Sequence, residues 1–444
     1  MRVVGARKKQ NAIRPIFVLP NNRLVFIVVG VLFRMALELG YRQFVFPVYE
    51  YTGLSLDVET LKYLESWFIF AILLMWFPVR LIRVSDYMLG YLLFVFLSPL
   101  LVFYGLTNAE RAHLYIVLGS VTLTLLIKSG RPIRIPYVSG GYFLSLTIVY
   151  LGIAFVTAWM FLSGGMSYFN LDFSRVYDFR EVVGGVLDQG PMAYLNTWAT
   201  KAFGPIALAV ALWRRQFLLA VVLIGLHVLW FGISSHKAVL FYPLLVVFVW
   251  LAFRYIKAIA LLPLSMSLMI GLAFYLYVEF DEIMVGAVLI HRVFFVPAEL
   301  TFQYYEFFSA NPLVYWSESL TSWFLQYPYD VSTPRVIGGF RGHPEENANN
   351  TYLATGFMHA GVFGMAFYGV IVGVIMRVLD SIARNGVPVW VVVAGAIVPV
   401  QALLTSADLP PALLTHGLGI AMMLLCLLRR KESVAYQSDL RARA

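Results

Sequence analysis

Runs of about 20 apolar residues recur along the whole chain, and that recurrence limits the fold more than any other feature. Twelve such runs are read at 24–45, 61–79, 86–106, 112–127, 139–163, 195–213, 217–233, 238–253, 258–279, 351–376, 387–406 and 411–428. A helix bonds its own backbone polar groups, so a run of this length can cross a hydrocarbon core with none left unpaired. Hydrophobic residues make up 60% of the 444 and charged residues only 13%. A soluble domain is about 45–50% apolar and about 25% charged, so a soluble fold is excluded. The net charge of +9 therefore reports membrane topology, not nucleic-acid binding. Cys426 is the only cysteine, which excludes an intramolecular disulfide and a Cys₄ metal site.

Alternating the runs from a cytoplasmic N-terminus places basic groups on one side. These are Arg2 to Arg23; Arg80 and Arg83; Lys128, Arg131 and Arg134; Arg214 and Arg215; Arg254 and Lys257; Arg377 and Arg384; and Arg429 to Arg443. This is the positive-inside pattern. It predicts a single integral membrane domain over 1–444, an all-α polytopic protein of about twelve transmembrane helices, with both termini cytoplasmic. The basic lead runs to Arg23 and no small-residue cleavage site follows, so the first run reads as an uncleaved anchor. Two long loops, about 164–195 and 280–350, fall on the far side, where function tends to sit on a helical scaffold.

The first loop holds Arg175 and Arg180 among Asp172, Asp178 and Glu181. Arginine binds phosphate bidentately and keeps its charge, so the pair suits a lipid phosphate; internal ion pairing is the plainer reading. In the second loop Arg292 follows Glu279, Asp281 and Glu282 and stands between apolar residues, where it must find an anion or the interface. Glu299 comes next, then an aromatic run from Tyr304 to Tyr329 that suits either the headgroup region or the faces of sugar rings. The stretch Arg335 to Thr351 is the most polar outside the termini. Arg335, Arg341, His343, Glu345 and Glu346 offer anion binding and proton transfer, while Asn347, Asn349 and Asn350 can bond sugar hydroxyls. No metal-ligand spacing is present and no metal or cofactor is expected.

Ionisable groups within spans are functional candidates by default. Arg34, Glu38 and Arg42 recur every fourth residue and predict an ion ladder facing the bundle. His236, Lys237, Lys201 and Asp408 fall at one membrane level and could close around the loop arginines, whereas His227, alone on an apolar run, reads as core. Gly369 and Gly373 form a small-xxx-small pair suited to close helix packing.

Four blocks in this order resemble the Wzy-type O-antigen polymerases, which join oligosaccharide repeat units in Gram-negative bacteria. They are Tyr168-Phe169-Asn170-Leu171-Asp172-Phe173 with Arg175 and Arg180-Glu181-Val182; His236-Lys237; Arg292-Val293-Phe294-Phe295-Val296-Pro297; and Asn347-Ala348-Asn349 leading to Gly361 and Gly364. The resemblance implies a metal-independent GT-C-like membrane glycosyltransferase of the bacterial inner membrane. Such an enzyme would move a growing glycan from one undecaprenyl diphosphate onto a new lipid-linked unit, working with a chain-length regulator. The family's Arg-x₁₀-Gly pattern is missing here: Arg175 to Gly185 and Arg180 to Gly190 enclose nine residues. In that chemistry Arg175, Arg180, Arg292 and Arg341 would stabilise the diphosphate leaving group, with Lys237 assisting. His343, Glu345 and Glu299, in that order, are the candidate bases. Arg335, Asn347, Asn349 and Asp408 would bind substrate. An O-antigen ligase shares the architecture, and a lipid-linked oligosaccharide flippase is the non-enzymatic alternative.

Overall fold

In a computed structural model the chain is helical, with no strand among the described residues, which are 22–52, 54–172, 176–384 and 386–429; of 176–181 the backbone alone is described. Ten helices among them are long and apolar enough to cross a membrane. Nine coincide with expected runs: Arg23–Thr52, Val84–Thr107, Arg111–Lys128, Gly141–Leu162, Phe217–Ser234, Lys237–Ile256, Leu261–Phe280, Tyr352–Arg384 and Leu409–Leu427. The other three expected runs are also helical, at Thr60–Trp76, 191–213 and Val389–Thr405, but are shorter or more polar. Large apolar side chains such as Phe68, Leu151, Leu218 and Phe363 stand exposed, as a lipid-facing surface requires.

The tenth long helix, Ile283–Ala310, stands where the charges predict a far-side loop. His291, Arg292 and Glu299 are the only ionisable residues from Ile283 to Leu300, and they made an apolar run look like a surface segment. The helix bends. Its wide-turn portion, Ala287–Phe295, descends along the first helix: Gly286 meets Phe44, Gly40 meets Ile290, and the Phe33 and Phe294 rings lie 5.7 Å apart. Pro297 follows, and the proline ring cannot continue the previous hydrogen-bond ladder. Beyond it Phe302 stacks on Phe103, which itself touches Tyr41. The second half has thus returned towards the level of Tyr41, so both ends of this helix lie at the end of the bundle where the first helix ends.

The helix Tyr352–Arg384 is broken at Ala360 and Gly361. Gly361 has φ +59° and ψ −141°, a conformation that side chains rarely adopt. Below the break Gly369 and Gly373 press on Ser120, Thr124 and Ile127, and Thr124 Oγ1 donates to the Gly369 carbonyl at 3.0 Å. The expected small-residue packing is therefore present.

The ion ladder of the first helix is only half formed. Arg34 is fully buried and pairs with Glu38 at 3.1 Å, but Arg42 is exposed. Arg42 falls in a wide turn over Tyr41–Val45, within electrostatic reach of Tyr63, which bonds Glu38.

Candidate functional site

The short helix Thr333–Phe340 brings Arg341 to the bent helix. Thr333 Oγ1 donates to Glu318 Oε2 at 2.7 Å, placing a carboxylate at the helix start, where the dipole favours it. Nearby, burial pushes the Tyr327 phenol up to about 12, so it stays a neutral donor to the Val331 carbonyl. After Phe340 the chain wraps back tightly: a Cβ on Gly338 would lie 2.3 Å from the Glu346 carbonyl oxygen. Gly338 accepts from the His343 amide at 2.8 Å, and Pro334 accepts from the Ala348 amide at 3.1 Å. This turn sets Glu346 beside Arg341.

Arg341 then lies between two carboxylates. Nη1 donates to Glu346 Oε1 and Oε2 at 2.9 and 3.0 Å, and Nη2 donates to Glu299 Oε1 at 3.0 Å. Gln303 Nε2 donates to the same Glu299 oxygen at 2.8 Å. Glu299 is 3% exposed and the Arg341 side chain 6%. Burying ions costs several kcal/mol each after relaxation, so such groups are kept where pairing is close or where they do something. Four polar atoms here have no partner: Glu299 Oε2, Gln303 Oε1, Arg341 Nε and His291 Nε2. His291 stacks on Tyr49 at 3.9 Å and lies within electrostatic reach of Arg292 and Arg341.

Glu299 forms part of the wall of a pocket of about 510 Å³. Phe302, Gln303, Tyr305 and Glu306 of the bent helix line it, with Phe103 and Glu110 opposite. The lining therefore carries three carboxylates and no Lys or Arg; Arg341 stands behind Glu299 and is already neutralised. A phosphate would be repelled, while a polyhydroxyl ring would find acceptors, an amide and aromatic faces.

A second cluster surrounds the break in the helix Tyr352–Arg384. Asp408 starts the helix Leu409–Leu427, accepting from the Leu409 amide at 2.8 Å, and pairs with His359 Nε2 at 3.0 Å. The Trp316 backbone N–H donates to His359 Nδ1 at 3.1 Å, which assigns the ring hydrogen to Nε2. Both ring nitrogens are thus occupied. The Met358 and His359 carbonyls accept from the Val314 and Tyr315 amides at 3.0 Å each, capping the broken half-helix. Tyr315 and Trp316 pay for this docking with positive φ, at +48° and +59°.

Of the residues expected to act, Glu299 and Arg341 come together. Arg292 is exposed on the descending half of the bent helix, near His291. His343 and Glu345 are exposed on the turn, Arg335 on the short helix, and Asn347 and Asn349 on the segment that follows. Asn350 is buried and donates to Thr301 Oγ1 at 3.2 Å. Lys237 begins its helix, half-buried and already engaged. Lys201 meets His416 Nδ1 at 2.6 Å. Arg175 lies outside the described residues, and so does the side chain of Arg180, whose backbone belongs to the helix Val176–Leu187. Among the described residues no three His, Cys, Asp or Glu converge as metal ligands. Sequence reading missed Gln303 and His359. No spacing marks Gln303, whereas the glycines around His359 are a signal for a helix break.

These features define a polytopic helical membrane protein with a buried charge cluster beside a pocket at one end of its bundle. Comparison with family models, with curated proteins and with solved structures found no match.

Proposed function

We propose that the chain is a membrane glycosyltransferase that polymerises undecaprenyl-diphosphate-linked O-antigen repeat units at the periplasmic face of the bacterial inner membrane. One observation carries the reading from resemblance to mechanism: the unpaired Oε2 of buried Glu299 in the wall of an acidic, aromatic pocket. The acceptor sugar occupies the pocket against Phe302 and Tyr305, with Gln303 and Glu306 bonding its hydroxyls. Glu299 takes the proton from the attacking hydroxyl as its oxygen bonds to the donor's anomeric carbon. The bond from that carbon to the lipid diphosphate breaks, and the diphosphate leaves with the electron pair. Buried Glu299 is preferred as base over His343 and Glu345, which are exposed. Arg341 holds Glu299 and is a positioning residue. The diphosphate falls to Arg292 and to Arg175 and Arg180 of the first loop, with Lys237 assisting, because the pocket itself has the wrong charge for it. A chain-length regulator is the expected protein partner.

The test is a lipopolysaccharide gel from a deletion strain carrying wild type or Glu299→Gln. Wild type restores a ladder, and Glu299→Gln leaves core plus one repeat at equal protein level. Loss of every O-antigen band in the deletion strain would indicate ligase or flippase instead. A normal ladder from Glu299→Gln would remove Glu299 as base.

A further inference from the structure

A second cavity lies at the opposite end of the bundle. The helix Gly141–Leu162 begins there, with Gly141 packed on the Leu427 carbonyl at the end of the helix that starts beside Asp408. The cavity has about 520 Å³ and opens between this helix and the two joined by Arg214, Arg215 and Gln216. Tyr142, Leu146 and Tyr150 recur every fourth residue, so they present one face to it. Leu146, Val210 and Leu219 make the apolar part of the wall, and Arg214 and Gln216 make the polar part.

Arg214 is held at the mouth by its neighbours. Its guanidinium lies 5.1 Å from the centre of the Tyr142 ring and 5.3 Å from that of Trp213, and Nε donates to the Tyr142 hydroxyl at 3.1 Å. These contacts fix the plane and use one donor, leaving the two terminal nitrogens that form bidentate bonds to phosphate. Arg215 follows directly, in a left-handed turn with φ +60°, so Arg214 is the cation that lines the cavity. An apolar wall under a cationic, hydrogen-bonding rim matches an amphiphile with an anionic head.

We propose that this cavity binds one anionic phospholipid, with its phosphate on Arg214, Tyr142 and Gln216 and its first acyl carbons along Leu146 and Leu219. A single exposed cation holds free phosphate weakly in water, so the apolar wall is what makes the site selective for a lipid. The inference is independent of the glycosyltransferase reading, since it uses the other end of the molecule.

The full-length protein in neutral detergent would be melted with added phosphatidylglycerol, phosphatidylcholine or sodium phosphate. Phosphatidylglycerol should raise the melting temperature of wild type by several degrees and phosphatidylcholine by less than half as much. Arg214→Gln should lose most of the rise. Leu146→Trp, which fills the wall and keeps the charge, should lose it as well, and native mass spectrometry of both variants should count one bound lipid fewer. Melting without lipid reports whether each variant folds. Equal rises with both lipids, or a full rise and lipid count in both variants, would overturn the proposal. The same rise from sodium phosphate alone would make the site an anion site and overturn its lipid half.

Discussion

Among the described residues two arginines, Arg34 and Arg341, are buried against carboxylates, and their surroundings differ. Arg34 spends all three of its nitrogens: Nε on Glu38, Nη1 on the Ser66 carbonyl and Nη2 on Ser66 Oγ, with Trp67 4.4 Å from its charge. Tyr63 donates to the other Glu38 oxygen at 2.9 Å. Arg341 leaves Nε unpaired, its partner Glu299 leaves Oε2 unpaired, and Glu299 lines a pocket. A saturated ion pair inside a helix pair joins helices. An unsaturated one beside a cavity has bonding capacity left for a ligand.

The comparison is broken most severely by removing one charge from the saturated pair. Arg34→Met should cost about 3–5 kcal/mol, since it strands a buried carboxylate. It should appear as loss of folded protein in the membrane, and Arg34→Met with Glu38→Gln should recover much of it. Glu299→Gln should do the reverse, lowering polymerisation by about 10²–10⁴-fold as expected for loss of a general base, with the melting temperature nearly unchanged. A melting loss in Glu299→Gln as large as that of Arg34→Met would erase the distinction. Gly361→Ala comes next: a side chain at φ +59° and ψ −141° should cost about 1–3 kcal/mol and lower the melting temperature. Asp408→Asn should cost about 1 kcal/mol, because His359 keeps its bond from Trp316. The smallest effect belongs to His343→Ala. Its side chain is exposed, so the O-antigen ladder should be unaltered; a collapsed ladder would return His343 to the role of base.

Much of the helix plan was legible because lipid leaves a polypeptide few alternatives. The run Ile283–Ala310 escaped because His291, Arg292 and Glu299 resemble surface charges in a linear reading. In the folded chain the same residues lie on two arms of one bent helix, and Glu299 is covered by Arg341, 42 residues away. The candidate base illustrates the same limit. His343 and Glu345 look more reactive in sequence, but burial is decided by which segments pack over a residue, and here the turn after Phe340 buries Arg341 and leaves His343 outside.

Sequence alone determined that this protein is a many-helix membrane bundle, where its glycines would pack, and which polar stretches compete for function. Hydrophobic periodicity, charge and backbone freedom are local properties, so they can be read from neighbours along the chain. Tertiary structure alone decided that Arg341 stands behind Glu299 and Gln303, that Asp408 is engaged by His359, and that Arg34 is buried while Arg42 stays exposed. All three outcomes depend on which segments remote in sequence pack together, and no local pattern encodes any of them.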